Sequence, residues 1–160
     1  MTREEAFEEY FRLAGFVQAY DGYFVGIKTW GVTVTGGSLA IGFTQHVTGA
    51  PLFQFLVFMM AFLLAVSFWC AEVYFKLLQL SHIPRLSNLE EQLASGATVV
   101  SGPAILSSFG HAQATNRAHG RWRHVLMFPH VLVPHAALAA VSGALVVISL
   151  VRLFASSGGA

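Results

Sequence analysis

Two Pro-His pairs, Pro129-His130 and Pro134-His135, stand where the last apolar run of the sequence begins. Histidine is the commonest metal ligand in proteins, so metal or haem binding is the first chemistry to consider. A spacing of five residues places two side chains roughly 140° apart on an ideal helix, and one helical face cannot direct both at one ion. The intervals between the neighbouring histidines match neither HExxH nor the paired spacing of structural zinc sites. The segment alone therefore predicts no metal site.

Haem held between helices is the stronger form of this idea. His82 follows the second apolar run and His135 opens the third, so both are expected at one membrane face. They could ligate a haem iron as a pair, or His135 could do so from adjacent subunits. A histidine at a membrane entry is more often an interfacial residue, because its ring tolerates both phases. We therefore expect no cofactor, with haem as the lesser alternative.

Lys28, Glu72 and Lys76 are charged residues close to the predicted membrane depth. A charge inside a membrane is a functional candidate by default. Glu72 and Lys76 are spaced i, i+4, and Lys28 can either reach the interface or meet Glu72 between two spans. The sequence favours a structural ion pair over a role in an ion or proton path.

Sequence signatures of catalysis and of nucleotide binding are missing. There is no GxSxG, P-loop or GxGxxG, and the single cysteine, Cys70, lies deep in an apolar run with no evident base. A net charge of +1 gives no general field for nucleic acid. The basic cluster of Arg117, Arg121 and Arg123 most simply sets membrane topology and contacts lipid phosphates. We expect neither an enzyme nor a nucleic-acid-binding protein.

The composition of the chain indicates the class of fold that positions these residues. The chain of 160 residues is 55% hydrophobic and 11% charged, against about 25% charged in an ordinary soluble domain. A soluble protein of this length could not bury so much apolar surface in one core. The sequence therefore predicts an all-α integral membrane protein with a single membrane domain over residues 1–160.

Periodicity divides this domain into segments. Residues 4–20 predict an interfacial amphipathic helix, and runs of about 20 apolar residues predict membrane spans. The predicted spans are 23–43, 51–80 with a cytoplasmic extension, and 134–154, separated by a cytoplasmic segment over 81–127. Within that segment Ser87 and Gly96 are predicted to bound a short helix. No regular structure is predicted for 97–123, and Pro134 is expected in the first turn of the last span.

The distribution of basic residues predicts the orientation of the chain. The N-terminal segment holds Arg3, Arg12 and Lys28, and residues 76–127 hold further lysine and arginine residues. The connection over 43–51 has none, and the C-terminus has only Arg152. By the positive-inside rule the N-terminus is cytoplasmic and the C-terminus outside. The expected location is a bacterial inner membrane.

Small residues recur on one side of two predicted spans, where they allow close helix packing or face a pore. They are Gly31, Thr35, Ser38 and Gly42 in the first span, and Ala136, Ala139, Ala140 and Gly143 in the third. Three helices alone have little room to bury these faces. The predicted function is a channel-like homo-oligomeric membrane assembly with lipids and copies of itself as partners. The alternatives are an accessory or assembly subunit of a respiratory, photosynthetic or transport complex, and a haem-carrying membrane subunit.

Overall fold

The chain is helical throughout the part that its structure, a computed structural model, describes, namely residues 1–48, 51–96 and 105–157. The helices in chain order are α1 (Arg3–Thr48), α2 (Pro51–Ala94), α3 (Ile105–Ala118), α4 (Arg121–Leu126) and α5 (Pro129–Ser157). No strand occurs among these residues. The predicted all-α class is confirmed.

Two of the described helices, α2 and α5, are long and apolar enough to cross a membrane. Only 22% of the most apolar stretch of α2 and 11% of that of α5 are buried within the chain. The core helix of a soluble protein would be mostly buried. The uncovered apolar surface is what insertion into lipid requires.

The first helix is longer than the pattern predicts. The predicted interfacial helix over 4–20 and the predicted span over 23–43 both belong to α1, which runs for 46 residues without a break. A change from amphipathic to apolar composition alters the surroundings of a helix but leaves its backbone hydrogen bonds intact. Because α1 contains no proline, nothing in its sequence interrupts those bonds.

The second helix also passes a predicted boundary. It continues through Pro84 to Ala94, so the short helix predicted to start at Ser87 is the last part of α2. Pro84 removes one backbone donor, which an otherwise continuous helix can tolerate. The predicted stop at Gly96 is present: its φ is 74° and its N–H donates to the carbonyl of Leu93. That left-handed conformation favours glycine.

Regular structure also occurs where none was predicted. Of residues 97–123, the stretch 97–104 lies outside the described residues, and the rest forms α3 and the start of α4. Gly120, with a φ of 60°, separates the two helices. In α5 the first position is held by Pro129, so Pro134 lies inside the helix instead of opening it. Either proline suits a helix start, and the upstream one is used.

The chain divides into two compact units, and the single membrane domain over residues 1–160 stays a prediction. Unit 1 comprises Met1–Val25 and Val73–Met127, and unit 2 comprises Gly26–Glu72 and Phe128–Ala160. Unit 1 has a small core of Ala6, Leu13, Leu89 and Leu93, close to a buried ion pair between Glu9 and Arg85 along the same two helices. Unit 2 contains the candidate site, which includes residues from α1, α2 and α5.

Candidate functional site

Three ionisable side chains meet in unit 2, one from each of its helices. The carboxylate of Glu72 on α2 lies 3.1 Å from Nζ of Lys28 on α1 and 2.7 Å from Nε2 of His135 on α5. Glu72 and His135 are each 1% exposed, and Lys28 is 30% exposed. We call these three residues the Glu72 cluster. It connects all three helices of the unit through one carboxylate.

A glycine makes room for the cluster. Gly31 lies one turn after Lys28, and a Cβ at this position would be 3.3 Å from Phe68 and 3.6 Å from Cε1 of His135. Phe68 in turn precedes Glu72 by one helical turn. The missing side chain therefore lets α1 approach α2 closely while the imidazole of His135 enters the same space.

The hydrogen bond to Glu72 indicates which nitrogen of His135 is the donor. Its Nε2 faces the carboxylate at 2.7 Å, while its buried Nδ1 has no hydrogen-bond partner among the described residues. A carboxylate accepts hydrogen bonds, so we assign Nε2 of His135 as the nitrogen that donates to Glu72. Lys28 contacts the other oxygen of the same carboxylate.

The Glu72 cluster stabilises helix packing, and its geometry also allows proton transfer. Burying one carboxylate without a partner is expensive, and removing one member of a buried pair typically destabilises a protein by about 3–5 kcal/mol. The short contact between Glu72 and His135 could also pass a proton from one to the other, as ionisable groups inside membrane proteins do in proton paths. The geometry of the cluster therefore supports association of the three helices and allows proton transfer between Glu72 and His135.

Lys76, the third residue of the predicted ion pair, has other partners. Its Nζ donates to Oε1 of Gln79 at 2.6 Å and lies 5.0 Å from the ring centre of Phe24, all within unit 1. Gln79 is held by bonds from its amide to the carbonyl of Val17 and to Asp21. Lys76 is therefore held within unit 1 by a hydrogen bond and a contact with an aromatic ring.

The two histidines of the haem hypothesis have separate surroundings. His82 belongs to unit 1, where its ring stacks on those of Phe109, Tyr20 and Phe16 at centroid distances of 4.9, 6.1 and 6.2 Å. His135 belongs to unit 2 and bonds to Glu72. Within the described residues no group of three or more His, Cys, Asp or Glu could hold a metal ion. The expectation of no cofactor, with haem as the lesser alternative, stays a prediction.

The small residues of the first predicted span line a contact inside unit 2. A Cβ at Gly42 would overlap the ring of Phe58, and Gly31 contacts Phe68 as described above. Thr35, between them, is fully buried, and Ser38 donates to the carbonyl of Val34. This side of α1 therefore packs on α2.

The small residues of α5 also lie near α2, less tightly. A Cβ at Gly143 would be 3.5 Å from the ring of Phe62, an ordinary contact distance. Ala136 and Ala139 are half-buried, and Ala140 is exposed. The aromatic side chains of α2 thus contact α1 and α5 on their small-residue sides.

The predicted basic cluster is divided among different partners. Arg121 donates from Nη1 to Oδ1 of Asn116 at 3.0 Å, and the guanidinium of Arg123 lies 5.3 Å from the ring centre of Trp122. The side chain of Arg117 lies outside the described part of the chain. These contacts do not test the predicted role of the arginines in lipid binding and membrane topology.

No known protein family, characterised protein or solved structure matches this chain. The Glu72 cluster is therefore interpreted from its own geometry.

Sequence reasoning missed the role of His135 beside Glu72. The two residues are 63 positions apart, and helical spacing relates only residues within a few turns. A usable signal was present: a histidine enclosed by the apolar residues of 131–141 needs a polar partner, since burying an unpaired polar group is unfavourable. Glu72 was the one carboxylate predicted at membrane depth.

Proposed function

We propose that this chain is a subunit of a homo-oligomeric membrane assembly that encloses a channel-like pore. Each subunit would cross the membrane three times, through residues 23–43 of α1 and through α2 and α5. The Glu72 cluster supports the first crossing, because it neutralises Lys28 at the point where α1 packs on the other two helices. The expected setting is a bacterial inner membrane, with the N-terminus cytoplasmic and the C-terminus outside.

The observation that carries this proposal is the outward side of α1 in unit 2. Small and hydroxyl residues recur there three or four positions apart, namely Thr29, Thr33, Gly37, Ala40 and Thr44, and all five are exposed. Their mean direction is roughly opposite to that of Gly31 and Gly42, which contact α2. A Cβ on Gly37 would meet nothing within 4 Å. We call these five residues the outer α1 face.

Lipid is a poor partner for this face. Hydroxyl groups and bare backbone gain little from acyl chains, whereas they suit a closely packed helix or the water of a pore. Every copy of the chain carries the same face, so like subunits arranged around one axis can bring these faces together. The exposed apolar residues of α2 and α5, including Leu56, Leu63 and Val147, then remain available to lipid.

Cysteine cross-linking tests the arrangement directly. Replacing the single, exposed Cys70 by alanine gives a cysteine-free background, into which Gly37→Cys places a thiol on the outer α1 face. We expect oxidation in native membranes to give disulfide-linked dimers of the chain. Val147→Cys on the lipid-exposed side of α5 is the matched control and should stay largely monomeric. Equal cross-linking of both variants, or none with Gly37→Cys, would count against the proposal.

Native mass spectrometry and conductance distinguish the remaining alternatives. A single multiple of the chain mass supports self-assembly, whereas a mixed mass indicates the accessory-subunit alternative and identifies the unlike partner. In planar bilayers the assembly should conduct ions, and Gly37→Leu should reduce the conductance or abolish assembly. An assembly with unchanged size and conductance in Gly37→Leu would exclude the outer α1 face as the pore lining or subunit contact.

A further inference from the structure

Unit 1 contains an open groove of about 450 Å³ between α2, α3 and the start of α4. Hydrogen-bond donors dominate its polar lining: Arg85, Asn88, Ser108, His111, Thr115 and Arg121. Aspartate and glutamate are absent from the described lining residues. A groove with this composition favours an anion over a cation.

Helical spacing explains why these donors converge. Ser108, His111 and Thr115 lie three and four positions apart, so they share one side of α3. The chain then turns at Gly120, whose φ of 60° favours glycine, and Arg121 follows at once as the first residue of α4. The turn brings a guanidinium to the end of the row of polar side chains on α3.

Arg121 is held in place by a buried polar chain. Its Nη1 donates to Oδ1 of Asn116 at 3.0 Å, and Nδ2 of Asn116 donates to Oγ of Ser81 on α2 at 3.1 Å. Asn116 is 6% exposed, so this connection fixes the guanidinium from the protein side. The bond to Asn116 uses one of the five N–H donors of the arginine.

The charge in the groove comes mainly from Arg121. Arg85 bonds to both carboxylate oxygens of Glu9, at 2.8 and 3.1 Å, so its charge is balanced. Among the described residues no carboxylate pairs with Arg121. An oriented guanidinium beside hydroxyl, amide and imidazole donors is the arrangement that binds phosphate oxygens best.

We propose that this groove binds the phosphate group of an organic phosphate, with Arg121 as its principal ligand and Ser108, His111 and Thr115 as further donors. Pockets for small organic ligands usually measure roughly 300–1,000 Å³, so the groove has room for more than inorganic phosphate. The non-phosphate part would lie against Pro84 and Ala112. The phosphate could belong to a soluble metabolite or to a phospholipid headgroup. The proposal does not depend on the oligomeric pore.

Calorimetric titration of the purified full chain in dodecyl maltoside tests it. The probes are glycerol 3-phosphate for the soluble source and short-chain phosphatidylglycerol for the lipid source, with glycerol as the uncharged control. Binding of glycerol 3-phosphate identifies a soluble ligand class, and binding of phosphatidylglycerol alone identifies a headgroup site. Failure of both phosphate probes to bind the unmodified protein would overturn the proposal.

Two neighbouring arginines provide a matched pair of variants. Arg121→Gln should weaken phosphate binding roughly tenfold or more, because a charge-assisted hydrogen bond is lost. Arg123→Gln removes the same charge two residues away, outside the groove, and should change affinity less than about threefold. Equal losses in the two variants would show that binding follows net charge alone, which would overturn the site.

A third variant keeps the test valid if Arg121→Gln disturbs folding. Thr115→Val removes one donor from an exposed position of α3 and leaves every charge in place. It should weaken binding several-fold without changing the helicity measured by circular dichroism. Unchanged affinity in a folded Thr115→Val protein would contradict the proposed ligand set.

Discussion

At the residue scale, the packing of the three helices in unit 2 depends on the carboxylate of Glu72. Glu72 is 1% exposed and has a partner on each oxygen, so its burial is tolerated only while both partners are present. Lys28 is the charged partner and is 30% exposed, whereas His135 completes the hydrogen bonding. Loss of Glu72 therefore affects two other helices at once.

Glu72→Gln should lower the free energy of unfolding by about 3 kcal/mol, because it leaves the ammonium of Lys28 without its counter-charge. Thermal or denaturant unfolding in detergent, followed by circular dichroism, measures the change. Glu8→Gln is the control, since Glu8 pairs with Arg12 at an exposed position and should cost less than about 1 kcal/mol. Adding Lys28→Met to Glu72→Gln should recover part of the loss. No recovery would mean that the ion pair is not the source of the effect.

The haem alternative is tested at His135, the histidine that bonds to Glu72. Because His135 is 1% exposed and His82 belongs to the other unit, we expect the protein purified from its own membranes to show no Soret band and no haem by the pyridine haemochrome assay. A Soret band that is present in the unmodified protein and absent from His135→Ala would reverse this expectation. The iron would then bind at Nδ1 of His135, which has no hydrogen-bond partner among the described residues.

At the scale of the helices, replacing a glycine by alanine should change stability in opposite directions, depending on whether other side chains surround the glycine. A Cβ at Gly42 would overlap Phe58, which is 1% exposed and cannot move away freely. Gly42→Ala should therefore destabilise the protein by about 1–3 kcal/mol. Gly22→Ala, with nothing within 4 Å of the new Cβ, should stabilise α1 by about 0.5–1 kcal/mol. Unfolding of the two variants under one condition checks both, and a neutral Gly42→Ala would show that α1 does not pack on α2 as described.

Helical class and apolar character could be predicted because both follow from composition and from spacing within a few turns. The ends of the helices were harder to predict. Ser87 has a good capping pattern and Pro134 a good starting position, yet both lie inside helices, because such residues permit a boundary without imposing one. The bond from His135 to Glu72 spans 63 positions and depends on how three helices pack, which no local pattern contains.

At the scale of the whole molecule, the number of membrane crossings decides how the outer α1 face is used. Two described helices, α2 and α5, have the length and apolar character of spans, while α1 is the more polar helix whose charge at Lys28 is neutralised by Glu72. If α1 also crosses, the two ends of the chain lie on opposite sides of the membrane. If it does not, they lie on the same side.

Reporter fusions separate these two arrangements. With three crossings, a green fluorescent protein at the N-terminus should fluoresce in the cytoplasm, and alkaline phosphatase at the C-terminus should be active outside. Glu72→Gln should lower the proportion of correctly oriented N-termini, because an unpaired Lys28 makes insertion of α1 less favourable. In the unmodified chain, activity of one reporter and silence of the other would place both termini on the same side and would restrict the spans to α2 and α5. The outer α1 face would then lie outside the membrane, and the pore proposal would lose its lining.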